Sequence, residues 1–249
     1  MFAEIALWTL SILGASYVLP YCIPPIRMAQ KQLHELVKTN TVFTSNCITD
    51  IQQAQIDMID RTIGQIMGAF CQLMIVAWAL LNLLFAGPIE PLHDLVISYY
   101  LYDMIHLYTK PYGRRQSIFF LHHTLSICMI AYIRYTRAEY PTLSHSLYIL
   151  METSGCALNI TNLYKQFYPA SKHIITCSSV NVITYGLTRV VVYPLILSYY
   201  EYQLYISVSD TKYLYIFPNA LLALLYGVSL WWFIAMVQKH RVMKQKTIL

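Results

Sequence analysis

The stretch "SIFFLHHTLSICMIAYI", Ser117 to Ile133, is apolar enough to lie in a lipid bilayer, yet it sets His122 and His123 side by side within its first two turns. An ionisable residue at mid-bilayer costs ~2.5–3.5 kcal/mol on insertion scales. A transmembrane helix with this sequence therefore needs partners for two imidazoles. Those partners must come from other helices, so the stretch implies a bundle.

The rest of the chain supplies one. It is 57% hydrophobic and 12% charged, about half the charge of a soluble domain. Seven segments reach or approach the ~20 residues that span a bilayer: Ala3–Ile23, Ile63–Gly87, Leu92–Tyr108, Ser117–Ile133, Leu143–Tyr164, Ile174–Tyr200 and Leu214–Val237. The third and fourth are short and polar-flecked, and hydropathy alone fits a buried helix there equally well.

Charge placement decides the count. One set of connectors holds Arg27, Lys31, Lys38 and Arg61, then Lys110, Arg114 and Arg115, then Lys165 and Lys172, and finally Lys239, Arg241, Lys244 and Lys246 in the tail. The alternate set holds only Arg134, Arg137 and Lys212, with Arg189 inside the sixth span. Basic residues concentrate in cytosolic loops. The expected fold is an all-α membrane protein with seven transmembrane helices, the N-terminus outside or lumenal and the C-terminus cytosolic. "MFAEIALW" has no basic n-region, so an uncleaved first helix is preferred to a signal peptide. The expected organisation is residues 1–62 as a first helix plus cytosolic connector, 63–238 as a six-helix domain and 239–249 as a basic tail. Within the connector Ile26, Ala29, Leu33 and Val37 recur at helical spacing, which fits either a membrane-surface helix or an ordinary linker.

Polar groups recur at particular places in the spans. Tyr99, Asp103 and His106 are spaced four and three apart, and so share one helical face. Glu152 and Asn159 are seven apart in "METSGCALNITN", with Ser154 and Asn162 nearby. In the expected orientation Asp103, His106, the histidine pair, Asn159 and Asn162 fall in the cytosolic halves of three helices. Glu152 lies mid-span, Arg189 is placed deeper, and the adjacent histidines point about 100° apart, one into the bundle and one along its edge. Polar residues also act as glue between membrane helices, worth below ~1 kcal/mol each on average; Ser154 and Asn162 fit that role, whereas the His, Asp and Glu cluster fits a pocket. Of six cysteines only Cys47 is in a polar segment, which is no disulfide framework. There is no metal-ligand spacing, so no metal or resident cofactor is expected, and no nucleic-acid partner.

The order "SYYLYD", "FFLHH", "ETS…LN" and "NLYK", followed by an arginine in the next span, resembles the TLC-domain family of multi-pass membrane proteins over roughly residues 60–240, and is nearer its small members than the ceramide synthases. The resemblance implies an endomembrane location, usually the endoplasmic reticulum, and a role in lipid synthesis, transport or composition. Membrane lipids are the implied partners, with acyl-CoA and a long-chain amine as possible substrates. It also implies catalytic roles for His122 and His123. The ceramide synthase signature continues with a His-Asp pair and a further aspartate before its glutamate. Here His145 is followed by Ser146, and no aspartate lies between it and Glu152. Two readings follow: a lipid-handling protein with a cytosol-facing polar pocket, or an acyl-CoA-dependent N-acyltransferase. The latter would use His122 or His123 as base and Asp103 or Glu152 to orient it. A seven-helix receptor shares the topology, but "FPNALLALLY" and "LYTKPY" lack receptor signatures.

Overall fold

Long runs of Leu, Ile, Ala and Met, broken by Gly, Pro and charged connectors, fold as helices in which each backbone N–H is satisfied within its own segment. The computed structural model describes residues 2–22, 45–85, 87–109, 117–136, 141–168, 171, 173–206 and 216–248, and every regular element among them is helical. They are α1 (Phe2–Cys22), α2 (Ser45–Phe85), α3 (Glu90–Thr109), α4 (Ser117–Thr136), α5 (Pro141–Phe167), α6 and α7 (Ile216–Ile248). Helix α6 is α-helical over Ile174–Tyr185, π-helical over Gly186–Val192 and α-helical again over Tyr193–Ile206.

Each expected span falls on one of these helices. By length and composition, three are apolar enough to cross a membrane: Asp57–Phe85, Ile174–Ser198 and Asn219–Gln245. Ala3–Val18 and Ser117–Tyr132 are shorter apolar helices. Helix α2 begins at Ser45, well inside the stretch expected to be connector, because Gln, Met and Arg sustain a helix as well as aliphatic residues do. Ile26, Ala29, Leu33 and Val37 lie outside the described residues.

The core centres on α3, whose residues from Leu92 to Tyr100 are all buried. Helices α1, α2 and α4 pack on it, α2 and α5 share the most extensive interface, and α7 closes the bundle against α4 and α6. Two polar ties fix the end of the bundle where α3 starts. Asp94, in the first turns of α3, pairs with Arg134 in the last turn of α4, each charge lying at the helix end whose dipole favours it. Ser98 Oγ donates to Ile5 O of α1 at 3.1 Å.

Small residues let α2 and α5 approach closely, as in membrane bundles generally. A side chain at Gly68 would stand 2.7 Å from Asn159 Nδ2, one at Gly155 would collide with Gln72, and one at Gly64 would stand 2.8 Å from His106 Nε2. The gap left by each glycine is thus filled by a polar side chain from a facing helix. Pro194 accounts for the irregularity of α6. It has no N–H for the carbonyl of Val190 and crowds that carbonyl; the hydroxyl of Tyr226 on α7 donates to it instead, at 3.4 Å. Tyr193 donates to Leu222 O at 2.9 Å, so the π segment is held against α7 on its C-terminal side.

Gly155→Ala should lower stability by about 1–3 kcal/mol, the usual cost of overpacking. Gly227→Ala, which meets nothing within 4 Å, should be neutral or stabilising by up to about 1 kcal/mol through helix propensity. Thermal unfolding of both variants in detergent checks the pair, and an unchanged Gly155→Ala melt would contradict the close approach of α2 and α5.

Candidate functional site

Helices α2 to α7 enclose a cavity of about 1140 Å³. One end is rimmed by Asp57, Arg61, Lys165 and Lys239, and its apolar wall includes Ile118, Phe119, Leu158, Trp231, Trp232 and Met236. Burial, and then the neighbouring charge of Lys239, lower the pKa of Lys165. Glu152 precedes Lys165 by 13 positions on α5, which places it about 20 Å further along the helix axis.

The polar wall forms a connected array. His123 Nε2 lies 2.7 Å from Asp103 Oδ2; a carboxylate accepts, so Nε2 carries the hydrogen, and in a neutral ring Nδ1 is then the lone-pair nitrogen. Tyr100 stacks on His123 with ring centroids 4.7 Å apart, and its hydroxyl donates to Glu152 Oε1 at 2.7 Å. His122 meets Trp232 edge to face at 5.2 Å. Asn159 Nδ2 donates to Gln72 Oε1 at 2.9 Å. Asp103, His123, Tyr100 and Glu152 thus run in sequence across α3, α4 and α5.

Arg189 comes from the π-helical turn of α6. Its Nε donates to Ser154 Oγ and its Nη2 to Met151 O, both at 2.7 Å, and Tyr185 lies under the guanidinium at 5.2 Å. A π turn is a frequent feature of functional sites, and here it carries a cation into the cavity wall.

Of the residues that spacing singled out, Tyr99, Asp103, His106, His122, His123, Glu152, Asn159, Asn162 and Arg189 line this one cavity. Ser154 stands behind the wall as the acceptor that holds Arg189. One placement differs from expectation. Both histidines are buried, at 4% and 5% exposure, with neither on the bundle edge: α4 is packed between α3 and α7, so directions 100° apart both meet protein. Arg189 reaches back to α5 through Ser154 and the carbonyl of Met151. Gln72, Tyr100 and Trp232 were missed, since nothing in their own helices marks them. Tyr185 has a signal only in its position one helical turn before Arg189. The side chains of His145 and Ser146 lie outside the described residues.

A family model described as TLC domain matches residues 92–238. The chain belongs to the TLC-domain family, an integral membrane protein of lipid-related function. No curated protein and no solved structure matches it.

Tyr100→Phe leaves the Glu152 carboxyl, 1% exposed, without its hydroxyl donor. A loss of about 1–3 kcal/mol in stability is expected, with partial recovery in the Tyr100→Phe/Glu152→Gln double variant, where the amide removes the stranded acid. Thermal unfolding of the two variants measures it; a double variant no better than the single would mean that the Tyr100–Glu152 bond is not the cause.

Proposed function

We propose that the chain crosses the membrane seven times with its N-terminus lumenal and C-terminus cytosolic, resides in the endoplasmic reticulum or another endomembrane, and adjusts lipid composition by holding an amphiphilic lipid in a cavity that opens to the cytosol. The cavity carries this reading. It is larger than most small-molecule sites, apolar along Phe119, Leu158, Trp232 and Met236, and polar along Asp103, His123 and Glu152. An acyl chain would lie on the first surface and a polar head on the second. Arg61, Lys165 and Lys239 at the rim suit the anionic face of a cytosolic leaflet, and their common end of the bundle agrees with the basic-loop pattern. The ionisable residues are tolerable in a membrane because the bundle turns them away from lipid.

A second reading is acyl transfer from an acyl-CoA to a long-chain amine, and the His123–Asp103 bond favours it. Asp103 would hold the tautomer in which Nδ1 accepts a proton, and this buried nitrogen has no hydrogen-bond partner. As the amine nitrogen attacks the thioester carbonyl, its proton passes to Nδ1, the C–S bond breaks and the thiolate leaves with that proton. The product is an amide. A receptor reading gains nothing from family membership.

The purified protein should carry a defined lipid, read by mass spectrometry of the extract. Ala235→Trp, which fills the apolar wall, should reduce its occupancy at least fivefold in folded protein; undiminished occupancy would place the lipid elsewhere. With labelled acyl-CoA and long-chain amines, product from wild type that is lost in His123→Ala would establish transfer, and no product from the folded wild type would restrict the protein to binding for those substrates.

A further inference from the structure

The far end of the cavity has a composition of its own. Three polar atoms there are buried without a hydrogen-bond partner: Glu152 Oε2, Arg189 Nη1 and the hydroxyl of Tyr185. All three residues line the cavity, and none is more than 5% exposed. Buried polar groups are nearly always satisfied, so three orphans on one wall are a feature to be explained. The orphaned donor is also held in place. Ser154 and the carbonyl of Met151 take two edges of the guanidinium and the Tyr185 ring supports its face, which leaves Nη1 as the donor still to be used. Among the described residues, Arg189 and Glu152 share the wall without a direct ion pair between them.

We propose that Glu152 Oε2 and Arg189 Nη1, unpartnered on residues that line the same cavity, form a subsite for the hydroxyl group of a long-chain lipid alcohol. The proposal rests on the reading of the cavity as a lipid site and names the head group that it selects. The chemistry of this pair discriminates. An ammonium would satisfy Glu152 but has no lone pair for Arg189 Nη1, and a phosphate would accept from Arg189 but face the carboxyl of Glu152. A hydroxyl donates to Glu152 Oε2 and accepts from Arg189 Nη1 at once, with the Tyr185 hydroxyl at hand for a second oxygen. A site built to bond a hydroxyl rejects the analogue that lacks it, because its own buried groups are then left unpaired.

The test uses the full chain in nanodiscs and two tritiated probes, 1-O-hexadecylglycerol and its 2,3-di-O-methyl ether, with saturable binding defined by unlabelled competitor. Wild type should bind the alcohol at least about tenfold more tightly than the ether. That preference should fall to about twofold in Arg189→Gln, and partly in Tyr185→Phe, which removes one oxygen and so keeps the test available if Arg189→Gln fails to fold. Equal affinity of wild type for alcohol and ether overturns the subsite and leaves the cavity reading standing. A preference that survives unchanged in a folded variant places the hydroxyl elsewhere and also overturns it. No saturable binding of either probe overturns the subsite and the cavity reading together.

Discussion

An ionisable side chain inside an apolar helix bundle must find its partner on another helix, and this constraint organises the whole molecule. The bond from His123 to Asp103 joins α4 to α3, that from Tyr100 to Glu152 joins α3 to α5, and that from Gln72 to Asn159 joins α2 to α5. Arg189 brings in α6 through Ser154, and Trp232 of α7 covers His122. In hydrocarbon such groups are costly alone, so the bundle is held by the need to keep them together as well as by the packing of Ile75, Leu92, Leu95 and Leu225.

The same constraint separates packing from function. Polar pairs that are complete, such as Asp94 with Arg134 or Tyr193 with the Leu222 carbonyl, tie helices and need nothing more. Along the cavity the pairs are incomplete. His123 keeps Nδ1 without a partner after bonding Asp103, Glu152 keeps Oε2 after accepting from Tyr100, and Arg189 keeps Nη1 after two bonds to α5. Each residue is anchored by one edge and keeps an unpartnered atom on the other, and all three line the same cavity. Anchoring of this kind would pre-organise the proposed lipid site, since little side-chain entropy would be lost when a ligand arrives.

Much of this was legible in the sequence. Helix existence followed from apolar runs, and shared faces followed from spacing, which is why Tyr99, Asp103 and His106, and likewise Glu152 and Asn159, meet at one cavity. Properties that depend on neighbouring helices were not legible. The edge position expected for one histidine failed because α7 covers that side, and Trp232, which does the covering, carries no mark in its own helix. Tyr100 is one position round from the face of Tyr99 and finds Glu152 only because α5 lies there. The polar start of α2 escaped a hydropathy reading that registers only apolar residues. The π turn that delivers Arg189 had one signal, Pro194, whose missing N–H disturbs the turn before it.

The most direct measurement of lipid occupancy would use a long-chain lipid bearing a diazirine in its acyl chain, photolysed with the protein in nanodiscs, with adducts located by peptide mass spectrometry. Adducts on Ile118, Phe119, Leu158, Trp232 or Met236, which line the cavity, and their loss under competition by unlabelled lipid, are the expected result. Adducts confined to outward-facing residues such as Leu73, Leu84, Leu224 and Ile234, unaffected by competitor, would contradict a lipid-holding cavity.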